Sequence, residues 1–289
     1  MRGKIVIVTG ANSGIGKATA ASIADRGATV ILACRSKERG EAAQNELRCV
    51  AGRCVELMHL DLADLDSVRS FAATFAKRYD RLDVLVNNAG ILGHRRAETK
   101  QGYEMSFGVN YLGPFLLTLL LLPLLEKSEQ GRVIMMSSVA HGWVDVRFQD
   151  LNFKRGYNRF LAYGHSKLCN LLFTRALTQR LRSRGSRVTI NAVHPGIVAS
   201  DIVVNRANGR FRWVADLMRL FFRSCEEGAE TSVFLACDPS VCDVSGEYFM
   251  DCKVEPSSGI SCDTTRANRL YELSLSLAGL ANDPAAPNA

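Results

Sequence analysis

Short apolar runs rich in β-branched residues alternate along the chain with segments of helical periodicity. The first run, residues 4–9 (KIVIVT), ends in a glycine-rich turn, and a helical pattern follows to about residue 26. Further strands are predicted at 28–34, 54–60, 82–86, 132–136, 188–193 and 247–249. Further helices are predicted at 38–50, 65–79, 103–127, 162–182 and 228–237. This alternation is typical of an α/β protein with a parallel sheet.

The predicted strands are apolar throughout and do not alternate between apolar and polar positions. That pattern is expected when helices cover both faces of a parallel sheet. Right-handed crossovers then give a doubly wound, Rossmann-type sheet of about seven strands. No repeat and no linker rich in proline, glycine or serine divides the sequence, so we predict a single domain over residues 1–281. Residues 282–289 (NDPAAPNA) are predicted to form a flexible tail.

Residues 105–125 carry no charge and are numerous enough to span a bilayer. The stretch contains Asn110, two glycines and two prolines, which favours a long, mostly buried helix instead. The N-terminus enters the first strand at once, which leaves no room for a signal peptide or an N-terminal anchor. We therefore expect an intracellular protein that is either cytoplasmic or peripherally associated with the endoplasmic reticulum membrane.

Composition and charge exclude several classes of protein. With 289 residues, of which 47% are hydrophobic, the chain can bury a sizeable core and is neither disordered nor a small disulfide scaffold. The net charge of +7 allows attraction to phosphate-bearing ligands, but no Lys/Arg tract predicts nucleic-acid binding. The 9 cysteines form no CxxC pair and the 5 histidines are scattered, so no metal site is expected. Cysteines inside apolar runs fit free thiols in a reducing compartment.

The turn after the first strand, TGANSGIG (residues 9–16), is the strongest local motif. Its glycines permit a tight turn and let the backbone approach a diphosphate, while the following helix offers free N–H groups and its positive dipole end. The spacing matches neither a Walker loop nor GxGxxG. The predicted diphosphate-binding residues are Gly10, Asn12, Ser13, Gly14, Ile15 and Gly16. The alternative is a glycine-rich turn without a ligand.

The residues that follow the second strand bear on the choice of dinucleotide. An acidic side chain there would bind the adenosine ribose hydroxyls, whereas this chain has Arg35 followed by Ser36. A guanidinium can grip a 2′-phosphate through paired hydrogen bonds, which favours NADP(H) over NAD(H). A solvated loop charge is the alternative for Arg35. Asp61 and Leu62, after the third strand, are placed to border the adenine ring, although Asp61 could simply cap a helix.

Four polar residues downstream are candidates for catalysis. Tyr163 and Lys167 share a face of a predicted helix, where the ammonium is expected to lower the pKa of the phenol and make proton transfer feasible. Ser138 ends the fifth strand and could hold a substrate oxygen; a turn-forming role, or the neighbouring Ser137, is the alternative. No GxSxG motif supports a serine nucleophile. Asn110, inside the apolar helix, could hold a water beside Lys167 or cap a helix kink.

Together these motifs resemble those of the short-chain dehydrogenase/reductase family over nearly the whole chain. TGANSGIG is similar to the family's cofactor turn, and Asn110, Ser138, Tyr163 and Lys167 follow the order and spacing of its catalytic tetrad. The resemblance implies that Tyr163 and Lys167 also contact the cofactor. It adds further cofactor-binding residues, namely Asn88, Ala89 and Gly90 of an NNAG motif, Pro195, Gly196 and Ile197 after the sixth strand, and Ser200, where the family often has Thr.

Segments such as AYGHSKLCNLLFTRAL and SGEYFMDCKVE resemble the retinol dehydrogenase branch of that family. The resemblance implies an NADP(H)-dependent oxidoreductase that transfers a hydride between the nicotinamide and a lipophilic alcohol or carbonyl compound, such as a retinoid, a lipid aldehyde or a steroid. Tyr163 would supply the proton to the carbonyl oxygen. The alternative is a non-catalytic protein that keeps the fold and binds a cofactor or a membrane surface.

Residues 197–224 are expected to form a lid over the small lipophilic substrate, because apolar and aromatic residues alternate there with arginines. The same basic amphipathic pattern allows a peripheral membrane contact, and plain packing is the third interpretation. The helix around residues 111–125 resembles the face through which family members form homodimers. Burial of that helix within the monomer is the alternative.

Overall fold

The computed structural model describes residues 1–50, 52–196 and 223–286. Eight of the described segments form one sheet. The strands are β1 (Ile5–Thr9), β2 (Thr29–Cys34), β3 (Cys54–His59), β4 (Val84–Asn87), β5 (Arg132–Met136), β6 (Thr189–Val193), β7 (Tyr248–Met250) and β8 (Lys253–Val254). Their order across the sheet is β3-β2-β1-β4-β5-β6-β7-β8. Neighbouring strands are parallel except for β7 and β8, which are antiparallel.

Helices lie on both faces of this sheet. The longer helices are α1 (Gly14–Asp25), α2 (Lys37–Arg48), α3 (Leu65–Arg78), α4 (Met105–Leu125), α5 (Arg159–Ser183), α6 (Cys225–Cys237) and α7 (Thr264–Leu277). Buried residues of α1, α2 and α6 form a core with one face of the sheet, and those of α3, α4, α5 and α7 form a core with the other. Along β1, Ile7 belongs to the second core, while Val6 and Val8 belong to the first. The predicted doubly wound α/β fold is confirmed.

The sheet has one strand more than the approximate count predicted. Asp251 and Cys252 adopt left-handed backbone conformations, with φ of +53° and +59°, and turn the chain back after β7. The two-residue strand β8 then pairs antiparallel with β7. Both residues of β8 are exposed, so no apolar run marks this strand in the sequence.

Helix α7 was not among the predicted helices. Its N-terminus is capped by the Asp263 carboxylate, which accepts a hydrogen bond from the Arg266 N–H at 3.0 Å. Its buried residues include Leu270, Tyr271 and Leu275. An aspartate followed by apolar residues at helical spacing was the sequence signal that could have predicted this helix.

The uncharged segment 105–125 forms the core helix α4. The helix is long and apolar enough to cross a membrane, but 89% of its most apolar window is buried inside the protein, as predicted. The Tyr111 hydroxyl lies 2.7 Å from the Ser274 hydroxyl of α7, and the Phe115 ring packs edge-on against Tyr271. Tyr111 and Phe115, at the start of the segment considered for homodimer formation, thus contact α7 of the same chain.

Residues 282–286, the described part of the expected flexible tail, pack against the domain. The Asp283 carboxylate accepts hydrogen bonds from the Tyr271 hydroxyl at 2.7 Å and from the Ala285 N–H at 2.8 Å. The Arg184 guanidinium donates to the Pro284 carbonyl oxygen at 2.7 Å, and Ala285 is fully buried. The Asp283 carboxylate thus joins residues 283–285 to α7.

Candidate active site

The carboxyl ends of the strands form the edge at which the sequence motifs meet. Strand β1 pairs with β2 on one side and with β4 on the other, so the order of the strands reverses beside it. In open α/β sheets such a reversal produces a crevice at the carboxyl ends of the strands, and ligands bind there. The turns after β1, β4, β5 and β6 all lie at this edge.

The glycine turn after β1 is packed too closely for two of its glycines to carry side chains. A Cβ at Gly10 would lie 3.0 Å from the Ala89 Cα, and a Cβ at Gly16 would lie 2.6 Å from the Gly10 carbonyl oxygen. The turn after β4 is tied to it, because the Asn88 amide donates to the Thr9 carbonyl oxygen and the Ala89 N–H donates to the Thr9 hydroxyl, each at 2.9 Å. The predicted Asn88 and Ala89 therefore shape the glycine turn.

The N-terminus of α1 fits an anionic ligand. Ser13 is the N-cap residue, but its side chain makes no capping hydrogen bond, and the first turn contains no acidic residue. A Cβ at Gly14 would have no atom within 4 Å, and Asn12 and Ile15 are only partly buried. Free N–H groups and the positive end of the helix dipole therefore face open space. These residues form a cradle that fits the diphosphate of a dinucleotide.

The end of β2 presents a cation and no carboxylate. Arg35 is exposed, and Ser36 caps α2 by accepting a hydrogen bond from the Arg39 N–H at 3.3 Å. The Ser36 hydroxyl thus has a structural partner in addition to its predicted place beside a 2′-phosphate. The arrangement leaves the Arg35 guanidinium available to an anionic group on the ligand.

The two residues predicted to border the adenine, Asp61 and Leu62, have different environments in the structure. The Asp61 carboxylate accepts from the Ala63 N–H at 2.9 Å and stabilises the turn after β3. It is not the cap of α3, because Asp64 holds that position. The Leu62 side chain is buried in the core on the α3 and α4 face of the sheet, so it does not form an exposed platform for a ring.

Three of the four predicted catalytic residues converge at the end of β5. The Tyr163 hydroxyl lies close enough to the Ser138 side chain for that side chain to lower the pKa of the phenol. The Lys167 ammonium lies 5.4 Å from the centroid of the Tyr163 ring and donates to the Met136 carbonyl oxygen at 3.0 Å. Ser137, the alternative to Ser138, is buried and donates to the Lys167 carbonyl oxygen, so its hydroxyl serves the backbone of α5.

The electrostatics of this cluster differ from the expectation. Burial raises the pKa of the Tyr163 phenol, and the Ser138 side chain offsets only part of that rise. Burial also lowers the pKa of the Lys167 ammonium to about 8. The predicted lowering of the Tyr163 pKa by Lys167 is therefore not found, because desolvation of the phenol is the larger effect. In this state Tyr163 is a protonated phenol at neutral pH.

Asn110 lies in the same part of the site as Lys167, since a Cβ at Gly90 would be 3.6 Å from the Asn110 Oδ1. It lies in a π-helical turn, Gly108–Leu112, inside α4. Its side-chain oxygen accepts from the Ile91 N–H at 2.7 Å, and its amide donates to the Ile91 carbonyl oxygen and to the Ser166 hydroxyl at 2.9 and 3.0 Å. Both amide N–H donors are thereby used to anchor the turn after β4. A Cβ at the predicted Gly90 would come within 3.3 Å of the Lys167 ammonium.

The turn after β6 contributes Pro195 and Gly196, both partly buried. Gly196 has φ of +80°, and a Cβ there would lie 2.7 Å from the Cδ of Arg223. The Arg223 guanidinium pairs with the Asp251 carboxylate, with Nη2 and Oδ2 2.9 Å apart, and no motif in the sequence predicts this pair. Outside the described residues lie the predicted Ile197 and Ser200 and most of the predicted lid, 197–222.

Exposed apolar side chains lie beside the catalytic cluster. Val139 and Trp143, in the 3₁₀ turn after β5, are 45% and 61% exposed, and Phe160, in the first turn of α5, is 46% exposed. A Cβ at Gly164, one helical turn after Phe160, would lie 2.6 Å from the Ala140 carbonyl oxygen, so these two elements are in close contact. The three side chains therefore expose apolar surface on two elements that meet at the site, and this surface is called the apolar rim below.

His141 is a part of the site that the sequence reasoning missed. Its imidazole Nδ1 lies 2.6 Å from the Ser138 carbonyl oxygen, and the residue is 5% exposed. The only sequence signal for it was its position three residues after Ser138.

Comparisons with known proteins agree with this geometry. Residues 4–210 match the model of a family described as short chain dehydrogenase. The mouse protein named retinol dehydrogenase 14 is 42% identical, covering 97% of this chain and 87% of its own, and the human protein named retinol dehydrogenase 11 is 44% identical with the same coverage. The crystal structure of an uncharacterised protein of Mycobacterium paratuberculosis is similar with a TM-score of 0.77 and 35% identity, covering 96% of this chain and 94% of that one.

Proposed function

Because this chain belongs to the short-chain dehydrogenase family, a family of oxidoreductases that use a nicotinamide cofactor, we propose that it interconverts a lipophilic alcohol and its carbonyl compound with NADP(H). The observation that carries the proposal is the juxtaposition of the Tyr163 phenol with the Ser138 side chain, with the Lys167 ammonium beside the phenol ring. Two hydroxyl groups at one point of the crevice can bind one substrate oxygen.

The roles of these residues follow from their chemistry. In the reducing direction, the Tyr163 phenol donates its proton to the carbonyl oxygen, and its raised pKa keeps it protonated at neutral pH for that purpose. The Ser138 hydroxyl donates a hydrogen bond to the same oxygen and stabilises the charge that develops on it. The Lys167 ammonium stabilises the phenolate that remains. The chemistry that a bound nicotinamide would supply is hydride transfer, to the carbonyl carbon in this direction and from the alcohol in the other.

The preference for NADP(H) rests on Arg35. Its exposed guanidinium follows β2 directly, at the position where an acidic residue would select NAD(H). The cradle formed by Gly10, Asn12, Ser13 and Gly14 would hold the diphosphate, and Arg35 with Ser36 would hold the 2′-phosphate.

The apolar rim formed by Val139, Trp143 and Phe160 supports a lipophilic substrate. Large apolar side chains exposed next to a polar catalytic cluster favour a ligand that is mostly hydrocarbon and carries one oxygen. The names of the retinol dehydrogenase relatives point to the same class, of which retinoids are one example. A substrate of this kind resides in membranes, which is consistent with a peripheral contact at the endoplasmic reticulum.

The proposal is tested by removing one oxygen atom, the Tyr163 hydroxyl. Tyr163→Phe removes the proton donor, and we expect it to reduce turnover of a panel of aldehydes and ketones, including retinal, by at least about a hundredfold. Binding of NADPH, measured by fluorescence titration, should change little. Tyr79→Phe is the matched control, because Tyr79 ends α3 at the opposite edge of the sheet.

Two results would overturn the proposal. One is wild-type turnover in Tyr163→Phe, which would remove the phenol from the chemistry. The other is tight NADPH binding by the wild-type protein with no carbonyl reduced and no alcohol oxidised, which would favour a cofactor-binding protein without activity.

A further inference from the structure

A chain of hydrogen bonds links the C-terminal part of the protein to Ser138 through the buried imidazole of His141. The Ser138 carbonyl oxygen accepts from the His141 N–H at 3.1 Å and lies 2.6 Å from His141 Nδ1. The other ring nitrogen, Nε2, lies 3.1 Å from the backbone nitrogen of Ser258, more than a hundred residues further along the chain. The His141 ring also packs edge-on against Tyr248 of β7, with centroids 5.1 Å apart.

These contacts fix the protonation of the ring. The Ser258 N–H can only donate, so Nε2 of His141 must be unprotonated to accept its hydrogen bond. The proton then resides on Nδ1, which donates to the Ser138 carbonyl oxygen. Burial lowers the pKa of His141, which keeps the ring in this neutral form near neutral pH.

We propose that His141 is a positioning residue, which holds Ser138 in register with Tyr163 by connecting the Ser138 carbonyl to the segment 255–262. This inference rests on the proposed function, because it assigns the origin of the Ser138 geometry on which that function depends. His141 touches no reacting atom and acts through Ser138.

The link matters because the residues next to both of its ends contact α5, the helix that carries Tyr163. The Arg175 guanidinium of α5 donates to the Ser257 hydroxyl at 3.0 Å and so fixes the segment next to Ser258. On the other side, the turn that contains His141 lies against Gly164, whose Cβ would come within 2.6 Å of the Ala140 carbonyl oxygen. A shift of Ser258 would therefore be transmitted through His141 to the distance between Ser138 and Tyr163.

The hydrogen bond from the Ser258 N–H to His141 can be tested by substitution at residue 258. Ser258 has φ of −60°, which a proline ring tolerates, so Ser258→Pro strains that torsion little; it removes the N–H and places the ring Cδ against His141 Nε2. Ser258→Ala is the matched control: it keeps the N–H and removes a hydroxyl that is buried and has no hydrogen-bond partner within the described residues. We expect Ser258→Pro to lower kcat for a carbonyl substrate about tenfold, with NADPH affinity unchanged, and Ser258→Ala to behave as wild type.

A double-mutant cycle separates positioning from general damage to the fold. Once Ser138→Ala has removed the hydroxyl, Ser258→Pro should cause no further loss of kcat. Additive losses would overturn the proposal, as would wild-type kcat in Ser258→Pro. Should Ser258→Pro fail to fold, His141→Asn supplies the same test, because asparagine keeps a donor near the Nδ1 position but cannot reach Ser258.

A readout without turnover completes the test. The ¹⁵N shifts of the His141 ring should report an Nδ1–H tautomer in the wild type and a changed Nε2 shift in Ser258→Pro. Identical shifts in both proteins would overturn the link. The failure of the proposed function has a different signature, since in that case Ser138→Ala alone would leave turnover unchanged.

Discussion

Lys167 shows what the site demands of a single residue. Its side chain is 2% exposed, and its ammonium donates to the Met136 carbonyl oxygen. Burial lowers its pKa from 10.5 to about 8, so the charged form is disfavoured in the folded protein. The charge costs stability at pH 7 and persists because the chemistry at Tyr163 needs it.

Lys167→Met should therefore stabilise the fold while it abolishes turnover. The depressed pKa corresponds to a gain on the order of 3 kcal/mol in the free energy of unfolding at pH 7. A methionine at position 167 leaves no buried acceptor without a donor, because the Met136 carbonyl oxygen still accepts from the Asn170 amide at 2.9 Å. Urea denaturation measures the effect.

The pH dependence of stability gives the control for that prediction. The penalty on Lys167 is fully present below its folded pKa of about 8 and is relieved as the pH rises towards the ordinary lysine pKa of 10.5. The wild type should thus gain stability over that interval, and Lys167→Met should lack this gain. A variant less stable than the wild type at pH 7 would contradict the argument.

Arg35 carries the choice between the two dinucleotides. In Arg35→Asp the carboxylate would repel a 2′-phosphate and accept hydrogen bonds from ribose hydroxyls instead. We expect the Kd for NADPH to rise at least about tenfold and the Kd for NADH to fall, both measured by fluorescence titration. Arg187→Asp, an equal change of charge just before β6 at the amino edge of the sheet, should leave both constants unchanged. Equal effects of the two variants would mean that only net charge matters.

At the scale of elements, the contact between α5 and the turn after β5 sets the geometry of the catalytic cluster. Gly164 directly follows Tyr163, and it allows the helix to touch the backbone of Ala140. Because this glycine is helical, its need is for space and not for an unusual torsion.

Gly164→Ala should push the turn away from α5. The added methyl group would lie 2.6 Å from the Ala140 carbonyl oxygen, which must move to make room. We expect a loss of about 1–3 kcal/mol in stability and a fall in kcat of at least about tenfold. Gly142→Ala, in the same turn but with no atom within 4 Å of the new Cβ, is the control and should be near wild type. Steady-state kinetics and thermal melts decide.

The elements with strong periodicity were predictable from sequence. The elements that the sequence did not predict were missed for physical reasons. The apolar runs gave the first seven strands because both faces of the sheet are buried, as β1 illustrates. Strand β8 was not predicted because its pairing depends on the left-handed backbone conformations of Asp251 and Cys252, which no apolar pattern indicates. The order of the motifs located the site, but the raised pKa of Tyr163 depends on burial, which no spacing of residues reveals.

At the scale of the whole molecule, the C-terminal part of the chain completes the core that supports the site. Helix α7 packs on α5 and contacts Tyr111 and Phe115 of α4. The residues beyond it return to α5 through Asp283 and Arg180, whose Nε lies 3.3 Å from the carboxylate. The Arg180 guanidinium also stacks on the Tyr271 ring, 3.8 Å from its centroid. Asp283 therefore joins the last residues to two helices at once.

Asp283→Ala should destabilise the protein by about 2 kcal/mol, because it leaves the buried Tyr271 hydroxyl without its acceptor. Removing both partners costs less than removing one, so Asp283→Ala combined with Tyr271→Phe should recover part of the loss. Turnover per folded molecule should be unchanged in both variants. Thermal melts and kinetics test this, and a double variant that is less stable by the sum of the two single losses would contradict it.

The π-helical turn at Gly108–Leu112 determines which changes in the length of α4 the protein can tolerate. Such a turn contains one residue more than an ordinary helical turn, so deleting one residue there would leave a continuous helix. Because the wider turn already accommodates its extra residue, the segments on either side would keep nearly the same facing, and the change would fall on the local position of Asn110, which contacts Ile91. A deletion from an ordinary helical turn of α4 would instead rotate one side by about 100° relative to the other. It would separate Asn110 from Ile91 or Phe115 from Tyr271, so the two kinds of turn in this helix differ in the deletions that they tolerate.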